Sequence, residues 1–492
     1  MIDGQRSATG RRSSMFRIAL ALSAASLMAA CESAPRVPPP PDTGPELEAL
    51  QLQQRLVPSV WPTPPPDTGW SLRERMDHYR VPGVAVAVVD DGELRFVKNW
   101  GVLTADGEEP VVDDTRFQGA SIAKALTATL ALRLADQGDL DLDAAVTPWL
   151  DDIDTSGVTP RRLLAHTAGL DTPSFAGYAQ SESLPTLDEI LRGASPATSD
   201  AIRVVVEPGT TWRYSGGGFE VLRQVIEERT SRPFAEVMDE ELFAPLRMSN
   251  SSVRPLPPEL EARAATGHDH AGVALPDRWR VFPEAAAAGL WTTAEDLAQW
   301  IIDLQKAHAG KPGRRLRRDM ARAMFEPQDP GAWGLGVLRG GVGQSAWFAH
   351  LGGNPGYATL ELGFVSSGHG IVVLTNGDGG SDLIREIVTA AAAIYDWPTF
   401  GGVVQPGIAP DASLLERAVG SWSLPALDVE LTISAEDGAL WAQFLGQRSR
   451  MTVTSATELR AVDRGWDLRL DAADRASVHL WPGYRFDAMR SP

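Results

Sequence analysis

Ser121 and Lys124 stand three residues apart at the start of an apolar repeat. Ile122, Leu126, Leu130 and Leu134 recur every four residues, which predicts a helix with one apolar face that begins at Ser121. Residues three apart on a helix share a side, so the amine reaches the hydroxyl. The helix N-terminus favours negative charge developing on oxygen. Together these supply a nucleophile and its base. Taken alone, the pair reads equally well as a Ser121 N-cap and a solvated Lys124. The chain holds only four lysines (Lys98, Lys124, Lys306 and Lys311), so one at this spacing stands out.

Several elements must position that pair. A helical stretch at Leu72–His78 is followed by a hairpin, with Val84–Val89 and Leu94–Val97 as strands and Asp91-Gly92 as the turn. Helical patterns dominate from Ser121 to about Leu246. Strands return near Gly334–Leu338, Trp347–His350, Ala358–Phe364 and Gly370–Thr375, followed by a helix at Ser381–Tyr395. Strands at both ends with a helical insertion between them predict an α/β domain whose sheet is completed by distant parts of one chain.

Five further segments occur in order around Ser121. They are Leu163–Leu170 (with His166-Thr167-Ala168-Gly169), Pro208-Gly209-Thr210 with Tyr214-Ser215-Gly216, Pro233-Phe234 through Pro245-Leu246-Arg247-Met248, Ala288–Leu297, and His350-Leu351-Gly352. Together they resemble the penicillin-binding protein and class C β-lactamase superfamily of serine hydrolases. That resemblance implies a β-lactamase/transpeptidase-like fold, with an antiparallel sheet flanked by helices and an all-helical insertion. It also implies roles. Ser121 would be the acyl-forming nucleophile, and Lys124 would take its proton and keep Tyr214 easily deprotonated. Tyr214 would shuttle protons; a free phenol titrates near about 10, so it needs a cation beside it. The backbone N–H groups of Ser121 and Gly353 would form the oxyanion hole, with Gly352 and Gly216 beside the substrate. His350 would serve as the third-motif cation or hydrogen bonder. This chemistry needs neither cofactor nor metal.

Two positions depart from the family pattern. Gly216 stands where the second motif usually ends in Asn, and His350-Leu351 stands where Lys-Thr is common. Both changes remove groups that grip the amide and carboxylate of a penicillin, which favours esters or small amides. The glycines Gly216–Gly218 would widen the pocket. The alternatives are a D,D-carboxypeptidase, a D-aminopeptidase or a β-lactamase and, in a different class, a non-catalytic cell-wall-binding lipoprotein.

Other residues read as structural. His166 precedes a glycine turn. His268-Asp269-His270 lacks a third metal ligand at zinc-like spacing and reads as a solvated loop. Arg314–Arg318 reads as a solvated basic face. Thr292-x-x-Glu295 reads as a capping box.

The 492 residues allow two to four domains at roughly 100–200 residues each. A net charge of −19 makes a nucleic-acid partner a poor fit. The single cysteine, Cys31, excludes an internal disulfide and a Cys-based zinc finger. Arginines at 11, 12 and 17, then the apolar run Ile18–Ala30, lead to Leu27-Met28-Ala29-Ala30-Cys31, which resembles a bacterial lipobox. Residues 1–31 are therefore expected to be a signal peptide lipidated at Cys31, which would anchor the protein at the periplasmic face of a bacterial membrane, the outer one where present. Residues 32–68 read as a proline-rich tether with a short helix at Pro45–Leu56. The hydrolase domain is placed at residues 69–398 and a small β domain at 411–492. Alternation at Val429, Leu431 and Ile433, the Asp437-Gly438 turn and three later strands (Glu458–Ala461, Asp467–Leu470, Val478–Trp481) predict a small barrel or curled sheet resembling a lipocalin-like module.

Overall fold

The computed structural model describes residues 44–491 except 58–59, 62–68, 148–154, 312–314, 331–332, 402, 405–406, 410, 425–428, 437, 445–446, 462–465 and 482–483. The segment expected to be a signal peptide, Cys31 and most of the expected tether lie outside the described residues. The described residues form two compact units, one within residues 76–380 and the other from residues 44–75 together with 381–491.

In the unit of residues 76–380, six antiparallel strands run in the order Glu93–Gly101, Gly83–Asp90, Gly370–Thr375, Tyr357–Phe364, Trp347–Asn354 and Leu338–Gly340. The first two strands are thus joined to four from the far end of the unit, as the expected completion of one sheet requires. Asp91 and Gly92 both have positive φ, at 51° and 72°, which is the turn a two-residue hairpin needs. A second sheet was not apparent in the sequence. It pairs the short strands Phe117–Ala120 and Leu290–Thr292.

The helix that starts after Ser121 spans Ile122–Gln137. It is not amphipathic. Twelve of its residues are buried, on every side, because alanines and threonines fill the positions between the leucines. Its polar positions are satisfied within the core, where Trp300 Nε1 donates to Thr129 Oγ1 at 3.0 Å. The helix Ala294–His308 is capped by Thr293, whose hydroxyl accepts from Asp296 N at 3.3 Å. The cap therefore lies one residue beyond the expected Thr292–Glu295 box.

In the other unit, helices Gly44–Gln54 and Gly380–Ile394 are joined by Tyr395, whose hydroxyl donates to Glu48 Oε2 at 2.8 Å. Arg75 forks onto Glu386 with contacts of 2.7 and 2.6 Å. Eight strands between Gly420 and Arg490 close into an antiparallel barrel, and Trp422 pairs with Arg490 at the seam. Alternate residues point inward. Trp422, Leu431, Ile433, Phe444, Leu459 and Leu468 are among those that fill the interior.

Candidate active site

The site starts from a strained turn. Ala120 has φ 49°, a left-handed conformation that costs an L-residue of order 1–3 kcal/mol. It swings the chain from the strand Phe117–Ala120 straight into the helix. Ser121 follows at the N-cap position, yet its side chain makes no capping hydrogen bond. Instead its Oγ lies 3.1 Å from Lys124 Nζ. Both residues are buried, at 2% and 1% exposure, so the reading of Lys124 as a solvated charge fails.

Lys124 Nζ also donates to the carbonyl of Ala287 at 2.7 Å. Burial lowers its pKa to about 7, against the opposing pull of the Glu220 carboxylate. Protonated, the amine donates to both Ser121 Oγ and Ala287 O; neutral, it still donates to Ala287 and can turn its lone pair to the Ser121 hydroxyl. That is the arrangement of a general base.

Tyr214 lies above the amine, with Lys124 Nζ 5.1 Å from its ring centre. Burial raises the phenol pKa, and the hydrogen bond with Ser121 only partly opposes this. Burial thus works against the easily deprotonated Tyr214 that the resemblance implies. With Lys124 itself titrating near 7, no fixed cation among the described residues offsets the cost of a buried phenolate. Tyr214 rests as a neutral phenol able to give a proton.

His350 lies on the strand Trp347–Asn354, its ring 6.4 Å from that of Tyr214. Burial, and then the Lys124 charge, lower its pKa to about 3. Of the two roles expected for it, cation or hydrogen bonder, only the second fits. Nδ1–H donates to Leu351 O at 2.8 Å, which leaves Nε2 a buried acceptor without a partner. Glu361 pairs with it across the sheet, so both side chains share one face, and burial pushes that carboxyl well above its usual range.

Gly352 brings this strand against the one that leads into Ser121. A Cβ there would sit 2.2 Å from the carbonyl oxygen of Gly119, so only glycine permits the approach. Gly353 is next along and pairs with Ala358.

Gly216 has a different place. Its N–H donates to Pro173 O at 3.1 Å, and a Cβ on it would meet that oxygen at 3.0 Å and Phe175 at 3.2 Å. At Gly217 the neighbours would be Thr172 and Ile202, at 3.0 and 3.1 Å. Gly216 and Gly217 do not leave the open space expected of them. They admit the 172–175 loop into the space a side chain would take.

His166 belongs to the site as well. Its Nδ1 accepts from Ser215 N at 3.1 Å and its carbonyl from Arg213 N at 2.7 Å, so it straps down the segment that carries Tyr214. Its ring centre lies 4.4 Å from that of Tyr214. Its buried Nε2–H has no partner, and burial holds the imidazole neutral. Trp333 closes the cluster, 5.0 Å from His166 and 5.4 Å from His350, with Trp212 stacked on it. The motif around His166 was visible in the sequence, but its burial against Tyr214 was not. Trp333 and Glu220 carried no sequence signal.

Gln118, three residues before Ser121, borders a cleft of about 210 Å³. Trp279, Phe282, Trp291 and Leu256 give it an apolar wall, and Ala288 lines it next to the Ala287 that holds Lys124. His268, by contrast, is buried rather than solvated. Its Nδ1 donates to Asn376 O at 2.8 Å and its Nε2 accepts from Ala105 N at 3.0 Å. Exposed Arg317 pairs with Asp136.

A buried Ser-Lys pair beneath a tyrosine, at the edge of an antiparallel sheet with a helical insertion, defines the serine hydrolases of the β-lactamase and penicillin-binding type. Residues 71–394 match the Beta-lactamase family, and the chain belongs to it. Esterase EstB of Burkholderia gladioli is 30% identical over 341 residues, which are 60% of this chain and 82% of that protein. A D-aminopeptidase of Brucella melitensis is 24% identical over 395 residues, 78% of this chain and 72% of that protein. Among solved structures, the octameric penicillin-binding protein homologue from Pyrococcus abyssi superposes with a TM-score of 0.59 at 20% identity. It covers 85% of this chain and 98% of its own, and it shows the fold.

Proposed function

We propose that the protein hydrolyses short esters, and small amides more slowly, through an acyl-enzyme on Ser121. The Ser121 proton passes to the Lys124 amine as Oγ bonds to the substrate carbonyl carbon, whose oxygen takes up the charge. Backbone N–H groups of Ser121 and Gly353 would receive that oxygen, as the family resemblance implies. The carbon–oxygen bond to the leaving group then breaks, and the leaving oxygen takes a proton from Tyr214, which regains one from Lys124. Water reverses the steps and frees the acid.

The observation that carries the ester reading is the neutral, buried His350. A penicillin or a peptide C-terminus presents a carboxylate, and the third motif here offers it an acceptor lone pair instead of a cation. The filled space at Gly216 removes the other usual amide grip. An ester needs neither. The cleft beside Gln118 offers a short apolar group the faces of Trp279, Phe282 and Trp291, with Gln180, Arg254 and Glu261 as its polar lining, and the esterase name of the Burkholderia relative supports the reading. The D-aminopeptidase name of the Brucella relative supports D-amino-acid amides as the second reading.

Steady-state kinetics decide between them. Aryl butyrate should exceed a chromogenic cephalosporin in kcat/KM by about a hundredfold, or about 2.7 kcal/mol in the barrier. A cephalosporin hydrolysed as fast as the ester would refute the argument from His350.

The same reading puts the enzyme outside the cytoplasm on a lipid at Cys31. Support comes from the apolar run Ile18–Ala30 ending at the only cysteine. Mass spectrometry of membrane-extracted protein should find a lipidated Cys31 at the N-terminus, and Cys31→Ser should release the protein from membranes. An unmodified cysteine would sink the assignment.

A further inference from the structure

The carbonyl that holds Lys124 is itself held. The amide N–H of Ala287, whose oxygen accepts from Lys124 Nζ at 2.7 Å, donates to Glu220 Oε1 at 2.9 Å. Glu220 lies on the helix Gly217–Thr230 and is 0% exposed. Its Oε2 lies 3.3 Å from Arg223 Nη1, and that same nitrogen donates to Pro283 O at 2.9 Å. One buried ion pair therefore grips both ends of the segment Pro283–Ala287. Burial pushes the Glu220 pKa up, with Arg223 and the Ala287 amide opposing. Both oxygens face donors, which suits a carboxylate. A protonated carboxyl would need an acceptor for its own hydrogen.

We propose that Glu220 is the positioning residue of the Ser121–Lys124 pair: held by Arg223, its carboxylate fixes Ala287 and through it the amine beside Ser121 Oγ, and its negative charge bears on that amine across the one peptide unit between them. The proposal rests on the reading of Ser121 as the nucleophile. Among the described groups around the amine, His166, His350 and Tyr214 are neutral, and Glu220 is the anion that acts on it. Around Glu220 stand Arg223, Glu227, which pairs with Arg223 at 3.0 Å, and Glu284, whose buried carboxyl is pushed up to about 8. Burial pulls the Lys124 pKa down while Glu220 pulls it up, so loss of the charge alone must lower it further.

The test compares pH profiles of kcat/KM for an aryl ester, together with the pH dependence of fluorophosphonate labelling, in the full chain. Glu220→Gln keeps an oxygen for the Ala287 N–H and deletes the charge. Its acid-limb midpoint should fall by about one pH unit, with the plateau at high pH within about threefold of the parent. Glu220→Asp keeps the charge but withdraws it by one methylene, and its midpoint should fall by about 0.3–0.5 unit. If the glutamine variant does not fold, the aspartate variant decides. Glu284→Gln should leave the midpoint in place, because that buried carboxyl, pushed up to about 8, is already uncharged across the acid limb. A midpoint within about 0.2 unit of the parent in the folded Glu220 variants overturns the proposal, as does an equal shift in Glu284→Gln. Ser121→Ala separates the two readings. Labelling that survives it removes the nucleophile itself. Labelling lost there with an unmoved Glu220→Gln profile removes only the role of Glu220.

Discussion

Gly352→Ala tests how the sheet holds the nucleophile. The added Cβ would lie 2.2 Å from Gly119 O and 2.2 Å from Thr359 Oγ1. Thr359 can yield by turning its side chain, at the cost of the 3.2 Å hydrogen bond it gives to Gly119 O. Gly119 O is backbone, in the strand that leads through Ala120 into Ser121. An ordinary contact needs about 1 Å more, so the strand must move by about that much. A displacement of about 1 Å at reacting atoms costs about a hundredfold in rate, or about 2.7 kcal/mol. Overpacking costs about 1–3 kcal/mol in stability, a fall in Tm of about 2–6 °C for a unit of this size. Aryl-ester kcat/KM should thus fall by about two decades while the protein stays folded. Adding Thr359→Ala should not rescue it, because the clash with Gly119 remains. A kcat/KM within about threefold of the parent, or rescue by Thr359→Ala, would show that this approach does not set the position of Ser121.

Ser121→Ala should abolish fluorophosphonate labelling, and Lys124→Ala should lower kcat by about as much as Ser121→Ala, since members of one catalytic unit are not additive. The rate should rise with pH through about 7, because the base is the neutral amine and protonation below that value removes its lone pair. A rate that falls across that range would exclude Lys124 as the base. Gly216→Asn should lower Tm and leave the cephalosporin rate unimproved, because its Cβ would press on Pro173 O at 3.0 Å. A gain of about tenfold or more toward cephalosporin would show that the 172–175 loop yields.

The strands of the sheet and barrel announced themselves where alternation or a turn dipeptide marked them. Asp91-Gly92 fixed one hairpin, and Val429, Leu431 and Ile433 marked one barrel strand. The strands that escaped notice lacked such marks. Phe117–Ala120 has four residues and pairs with a three-residue strand far along the chain. Gly420–Leu424 and Gln447–Ser455 alternate with serines, threonines and arginines, so that sequence pattern alone does not separate them from loops. Closure of the barrel depends on the pairing of Trp422 with Arg490, a contact no local pattern can encode.

The site divides along the same line. Spacing brought Ser121 and Lys124 within reach, and ordered motifs brought Tyr214 and His350 into view. Protonation states depend on what surrounds those groups in space, which no local pattern encodes. A lysine and a tyrosine side by side suggest a cation beside a phenolate. The structure instead buries both, and each is then driven toward its neutral form, the amine down to about 7 and the phenol upward. That reversal suits the proposed chemistry, in which a neutral amine accepts the serine proton and a neutral phenol gives one to the leaving group. The carbonyl that orients the amine comes from Ala287, 163 residues away, and the carboxylate behind that carbonyl comes from Glu220 on a third element. Neither residue type is chemically notable in its own stretch of sequence. What turns a Ser-Lys spacing into a base is the closing of those distant segments over it.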